Sequence, residues 1–263
     1  MKVTCIQMDM MFANPDENYK KAGVLVSQAA DEGADVVLLP ETWNTGFFPR
    51  ENLSELADRD GERTKAVFSD LARRKNVNIV AGSVANRKAD GVYNTSYVFN
   101  RKGDCISSYD KSHLFSPMEE DRFFKKGGLS HIFELDGLKC AVIICYDIRF
   151  PRFTRRMAIE GLDILFMVSQ WPLVRVQHLD ALTRARAIEN QMFVACCNSA
   201  GKAGDTVYGG NSSITDPWGN VIAHAEGHDE EFVSADCDMG ILKDIRNSIN
   251  VFRDRRPELY KVN

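Results

Sequence analysis

The sequence predicts an α/β fold with more sheet than a doubly wound protein carries: two sheets stacked face to face with helices outside, an α-β-β-α sandwich of four layers. Two observations carry this expectation. Short β-rich runs alternate with helical patterns, and the strands outnumber the helices. There is also a faint internal repeat. EGADVVLLP at 32–40 and EGLDILFMV at 160–168 both leave a helix at Glu-Gly and enter an apolar strand. The strands that follow, NVNIVAGSV at 76–84 and NQMFVACCNSAG at 190–201, are also alike. Two related halves that stack sheet on sheet bury both inner faces.

In chain order, the runs 2–8, 35–39, 77–84, 92–100, 104–109, 131–134, 138–146, 162–168, 192–198, 211–216, 221–225 and 232–236 read as strands. Helices are expected at 18–32, with Val24, Val26, Ala29 and Ala30 inward, and at 61–74, with Val67 and Leu71 inward. A third is expected at 176–191, where Leu179, Leu182, Ala185 and Ile188 make an apolar stripe. No Pro/Gly/Ser-rich tract, like-charge block or low-complexity segment interrupts the pattern, so residues 1–263 read as a single domain.

Composition bounds the function. The 263 residues carry 33 Lys+Arg against 37 Asp+Glu, a net charge of -4, and a sequence pI near 5.8. That balance argues against a broad nucleic-acid surface. No apolar run approaches the roughly 18 residues of a membrane span, CAVIIC at 140–145 being typical of the longest. The alternating start MKVTCIQMDM reads as a first strand rather than a signal peptide. The seven cysteines include no C-x-x-C pair and have no zinc spacing. Reduced, mostly buried thiols in a cytoplasmic protein are expected. Neither G-x-x-x-x-G-K-[ST] nor G-x-G-x-x-G occurs, which leaves nucleotide cradling unsupported.

Three polar residues stand at the ends of apolar strands: Glu41 after VLLP, Lys111 after SSYD, and Cys145 after CAVII. Taken singly, Glu41 reads as a solvated strand-end charge or a buried functional acid, and Lys111 as a surface lysine. Cys145 reads as a small core residue. However, Tyr-Asp-x-Arg-Phe-Pro breaks the apolar run at once, which puts Cys145 at a strand-to-helix junction. There a thiolate can face a cleft beside backbone N–H groups.

Together, LPET at 39–42, YDKSHLF at 109–115 and ICYDIRFPR at 144–152 resemble the nitrilase (carbon–nitrogen hydrolase) superfamily. The resemblance runs from the first strand to DRRPELY at 254–260 and implies the same four-layer sandwich. TWNTGF at 42–47, Trp171-Pro172 and ARAIENQ at 185–191 are similar to the ω-amidase group. It implies a cysteine amidohydrolase without metal or organic cofactor, acting on 2-oxoglutaramate- or 2-oxosuccinamate-like amides. Cys145 is then the nucleophile and Glu41 the general base. Lys111 and the Tyr146 N–H stabilise the oxyanion.

Aligned on Gly127, a second carboxylate falls at Glu120, with Glu119 the off-by-one alternative. Arg149 reads either as a clamp for a substrate carboxylate, as in N-carbamoyl amino acid amidohydrolases, or as a structural ion-pair partner, the favoured reading. Trp43, Phe47 and Trp171 are candidate pocket walls, Trp171 the best of them. Asn211, in GDTVYGGNSS at 204–213, is a candidate rim residue, and His113 is expected to be structural. RDRR at 253–256 suits a tail on a partner subunit better than a nucleic-acid patch, and the resemblance implies a homodimer or a higher even-numbered assembly. True nitrilases resemble Cys-Trp-Glu at the nucleophile, where this chain has Cys145-Tyr146-Asp147. Rival classes are a non-catalytic protein on the same fold and a redox thiol protein using Cys196–Cys197 or Cys140/Cys145. Adjacent cysteines on a strand point to opposite faces, so a sensor disulfide at Cys196–Cys197 would be strained.

Overall fold

The computed structural model describes residues 1–47, 49–203 and 205–260. Its first half runs β1 (Lys2–Gln7), α1 (Pro15–Asp31), β2 (Val36–Leu38), α2 (Leu53–Leu56), β3 (Asp58–Arg59), α3 (Glu62–Lys75), β4 (Asn78–Val80), β5 (Val84–Lys88), β6 (Gly91–Phe99) and β7 (Cys105–Asp110). The second half runs β8 (Phe133–Leu135), β9 (Leu138–Ile144), α4 (Pro151–Ile159), β10 (Ile164–Val168), α5 (Val176–Asn190), β11 (Phe193–Cys197), β12 (Lys202–Ala203), β13 (Thr206–Val207), β14 (Ser213–Thr215), β15 (Val221–His224), β16 (Glu231–Asp236) and α6 (Gly240–Ser248).

One sheet has the order β16-β1-β2-β4-β6-β5-β3, with β7 also on β6, and the other the order β15-β14-β11-β10-β9-β8. Each holds a parallel triplet, β1-β2-β4 in one and β9-β10-β11 in the other. The repeated Glu-Gly segments supply the middle strand of each triplet, which explains the likeness of the two halves. Strand alternation sorts the side chains. Val3, Cys5, Val36 and Leu38 face the second sheet and join its strands in one core. Ile6, Met8, Val37 and Leu39 face outward onto Tyr19, Ala22 and Val26 of α1 and Phe68 of α3. On the other side Met157 of α4, Leu179 of α5 and Leu242 of α6 cover the second sheet. The inner faces touch closely, with the Cys197 thiol 3.2 Å from the Ile6 carbonyl and 3.4 Å from that of Leu38. No helix among the described residues is long and apolar enough to cross a membrane.

Four expectations need correction. Val24 is 53% exposed and Ile188 49%. The buried face of α5 is instead Leu179, Thr183, Arg186, Ala187 and Asn190. A stripe of strict three-residue spacing slips about 60° per step around a helix of 3.6 residues per turn. From Leu179, three such steps reach the opposite side at Ile188. The run 77–84 is not one strand either, because the chain kinks between β4 and β5. Gly82 there has φ +58°, and a Cβ on it would lie 2.0 Å from the Pro40 carbonyl oxygen. That close approach lets Ser83 bind the Glu41 loop. Its N–H donates to Pro40 O at 3.0 Å, and its Oγ accepts from the Thr42 N–H at 3.0 Å. Finally, β9 stops at Ile144, so Cys145 and Tyr146 belong to the turn that follows.

Candidate active site

The three strand ends converge. Glu41 follows β2, Lys111 follows β7 and Cys145 follows β9, and all three line one cavity. Lys111 Nζ lies 2.8 Å from Glu41 Oε1 and 2.9 Å from both carboxylate oxygens of Glu120. Lys111, Glu41 and Glu120 are all buried, so their mutual charge compensation is what makes burial tolerable. Burial opposes the charge on Lys111, but Glu120 and Glu41 outweigh it and hold the ammonium well above its usual pKa. For Glu120, burial pushes the carboxyl up, Lys111 opposes this, and the nearby Glu41 adds to it.

Each carboxylate is also fixed from the backbone. Glu41 Oε2 accepts from the Gln170 N–H at 2.9 Å, and Glu120 Oε2 from the Phe115 N–H at 2.6 Å. Asn94 of β6 spans the pair, donating to Glu41 Oε1 at 2.9 Å and to Glu120 Oε1 at 3.5 Å. Its backbone C=O accepts the Lys111 N–H at 2.9 Å. Glu119, the off-by-one alternative, instead pairs at the surface with Arg122 and Arg50.

Cys145 opens a 3-10 turn, Cys145–Arg149, with φ +45°, an uncommon backbone for a residue bearing a side chain. Burial pushes its thiol well above the usual range; the facing Glu41 carboxylate adds to that, partly through a hydrogen bond, and Lys111 opposes it. As an early residue of the turn, Tyr146 has no intrahelical acceptor for its N–H. The turn is braced by Asp147, fully buried, which accepts from Ile144 N–H at 3.0 Å, Tyr109 O–H at 2.7 Å and His113 N–H at 3.1 Å. His113 Nδ1 lies 2.7 Å from the same carboxylate, and its ring stacks on Phe150 at 3.7 Å.

Phe47, Tyr146, Arg149 and Trp171 all line the cavity, as do Phe115, Gln170 and Arg175. Two expectations fail. Trp43 is wholly buried, its ring edge-on to Tyr19 and Phe68 and its Nε1 donating to Ala81 O at 2.8 Å. Asn211 lies outside the lining, its Nδ2 held by both oxygens of Asp180 on α5 at 3.2 Å. The ion-pair reading of Arg149 is also corrected. Among the described residues it has no carboxylate partner, and instead lies 4.8 Å over Trp171 with Nη2 3.1 Å from His178 Nδ1. In the RDRR segment, Arg253 and Arg256 pair with their neighbours Asp254 and Glu258. The end of the expected subunit-crossing tail, 261–263, and residue 204 of the glycine loop lie outside the described residues.

Asn94, Asp147, Gln170 and Arg175 were not singled out in the sequence. A buried amide inside an otherwise β-rich run, and a carboxylate two residues past the thiol, are the signals that could have found the first two. Gln170 and Arg175 flank Trp171 but carry no local mark.

The carbon–nitrogen hydrolase family profile matches residues 2–247. A 2-oxoglutaramate amidase of Bacillus subtilis (strain 168) is 44% identical over 258 residues, covering 98% of either chain. Omega-amidase NIT2 of Danio rerio is 34% identical, covering 94% of this chain and 92% of its own. The solved structure of Saccharomyces cerevisiae Nit3, a member of branch 10 of the nitrilase superfamily, superposes with a TM-score of 0.89 at 27% identity, over 97% of this chain and 96% of that one. The chain belongs to the carbon–nitrogen hydrolase family, and its α-β-β-α sandwich is that of the nitrilase superfamily.

Proposed function

We propose that this protein is a cysteine-dependent amidohydrolase that releases ammonia from the terminal amide of a small carboxylic acid such as 2-oxoglutaramate or 2-oxosuccinamate. The observation that carries the reading is the convergence of Glu41, Lys111, Glu120 and Cys145 on the floor of one small cavity. The names of the Bacillus and Danio relatives support the substrate class.

Glu41 takes the Cys145 proton as sulfur attacks the amide carbon. Charge develops on the carbonyl oxygen, where Lys111 and the Tyr146 N–H stabilise it. Lys111 stays protonated between its two carboxylates and therefore serves as an electrophile rather than a base. Glu41 then returns the proton to the departing nitrogen, the C–N bond breaks, and ammonia leaves a thioester on Cys145. Water, losing a proton to Glu41, attacks that thioester; the carboxylic acid leaves and the thiol regains its proton. Glu120 orients Lys111, and Asn94 bridges the two carboxylates.

Arg149, in the lining without a carboxylate partner among the described residues, favours an acidic substrate and keeps an N-carbamoyl amino acid as the second reading. An ammonia-release screen over 2-oxoglutaramate, glutamine, asparagine, N-carbamoyl amino acids and simple nitriles decides. Highest kcat/KM on 2-oxoglutaramate supports the proposal, and turnover confined to carbamoyl compounds or nitriles overturns it. A cytoplasmic setting accords with the burial of Cys5, Cys140, Cys196, Cys197 and Cys237. A two-fold homodimer accords with exposed apolar residues such as Val174 and Leu259, and sedimentation analysis tests it.

A further inference from the structure

Lys111 is bracketed by two residues that hold the same carboxylate. Tyr109, two positions before it on β7, donates its O–H to Asp147 Oδ2 at 2.7 Å. His113, two positions after it, donates its backbone N–H to Asp147 Oδ1 at 3.1 Å, and its Nδ1 lies 2.7 Å from that same oxygen. Asp147 in turn stands two positions past Cys145 and is fully buried. Its Oδ2 also accepts the Ile144 N–H at 3.0 Å, from the residue just before the thiol. With donors on both oxygens, Asp147 acts as an acceptor throughout, so the proton between it and His113 sits on Nδ1.

One carboxylate therefore joins the segment that carries the ammonium to the turn that carries the thiol. The segment is closed on itself, because Tyr109 Oη accepts the Ser112 N–H at 3.0 Å. The Lys111 backbone is held as well, its N–H on Asn94 O at 2.9 Å and its C=O accepting the Gly127 N–H at 2.8 Å. A lysine stem is long and flexible, so the place of its ammonium follows the anchors at its base. Hydrogen bonds to a charged acceptor are the stronger kind, and they fix direction as well as distance. Displacing a reacting group by about 1 Å can cost about 10²-fold in rate.

We infer that His113 is a positioning residue: through Asp147 it ties the Lys111 segment to the Cys145 turn, so that ammonium and thiol meet the substrate amide in one fixed register. This rests on the amidohydrolase reading above. The His113 ring also stacks on Phe150 at 3.7 Å and meets Phe153 edge-on at 5.1 Å, so its donor and its packing have to be separated.

Two substitutions separate them, assayed on the amide that the wild type turns over fastest. His113→Phe keeps a ring on Phe150 and loses the Nδ1 donor. His113→Asn loses the ring, but its amide nitrogen can stand where Nδ1 stands. If the donor positions Lys111, kcat falls about tenfold or more in His113→Phe with KM little changed, and His113→Asn stays within about threefold of wild type. Tyr109→Phe, which removes only the second donor, should lower kcat in the same way. Melting curves refer each rate to folded protein. An unchanged kcat in His113→Phe, or an equal loss in His113→Asn, overturns the inference and leaves the amidohydrolase reading intact. If His113→Phe does not fold, Tyr109→Phe decides: a tenfold lower kcat sustains the coupling through Asp147, and an unchanged one overturns it. If the wild type releases ammonia from no amide, the amidohydrolase reading falls. The coupling is then judged by the rate at which iodoacetamide alkylates Cys145, followed by peptide mass, because Lys111 lowers the pKa of that thiol. Slower alkylation in Tyr109→Phe and His113→Phe than in His113→Asn sustains the inference, and equal or faster alkylation overturns it.

Discussion

Arg186 of α5 grips a single carbonyl with two donors: its Nε lies 3.0 Å and its Nη2 2.8 Å from the oxygen of Ile148. Ile148 belongs to the turn that Cys145 opens, so a buried side chain from a distant helix holds the segment bearing the thiol and the Tyr146 N–H. Arg186→Ala leaves that carbonyl and Glu189 without their partner. The expected loss of stability is about 2–4 kcal/mol, read from urea unfolding. In the folded fraction kcat should drop more than KM rises, since the misplaced groups act on the transition state. An unchanged kcat would remove Arg186 from the positioning of the turn.

Cys145→Ala removes the proposed nucleophile and should leave the fold intact, because the thiol is small and the turn it opens is held by Asp147. Ammonia release should fall to background for every amide. Turnover within tenfold of wild type would refute the thioester route.

The ionisation of Cys145 should respond in opposite senses to its two charged neighbours. Glu41 raises the thiol pKa and Lys111 lowers it, on top of the upward push of burial. Glu41→Gln removes a negative charge, favours the thiolate and lowers that pKa. Lys111→Met removes a positive charge and raises it further. Thiolate absorbance near 240 nm, taken as a difference from Cys145→Ala across pH, measures both shifts. Both variants should nonetheless lose amide turnover, which separates thiol acidity from catalytic competence.

Glu120→Gln keeps the shape but removes one of the two counter-charges of Lys111. Loss of an oriented electrophile is expected to reduce kcat by about 10²–10³, with KM little altered. A variant within threefold of wild type would reduce Glu120 to a structural partner.

Chelation should have no effect. The two carboxylates that might attract a cation already enclose the Lys111 ammonium, and no group of three His, Cys, Asp or Glu among the described residues is arranged to hold a metal. Activity after exhaustive EDTA dialysis should equal that of the untreated protein, and inhibition reversed by added metal would contradict the metal-free scheme.

Much of the fold and site is legible in the sequence, for a physical reason. Strand runs, the Glu-Gly repeat and the polar residue ending each of three apolar strands are local signals, written by side-chain period and by the cost of burying charge. Together with the resemblance carried by LPET, YDKSHLF and ICYDIRFPR, they point to the four-layer sandwich and to Glu41, Lys111 and Cys145. Glu120 needed the family spacing after Lys111, since a run of acidic residues by itself looks like a solvated loop. The inward face of α5 differs from the stripe at 179, 182, 185 and 188 because three-residue spacing imitates helical spacing over one turn and reaches the opposite side within three.

What the sequence by itself determined is the type of fold and the three polar strand-end residues, Glu41, Lys111 and Cys145, that meet in one cavity. Only the tertiary structure decided which groups meet across the chain: Asn94 on both carboxylates, Arg186 on Ile148, Trp43 in the core, Asn211 on Asp180, and Arg149 and Arg175 in the lining of one cavity. These contacts join residues dozens of positions apart, and their energy depends on distance in space. No local pattern of hydrophobicity or spacing encodes that distance.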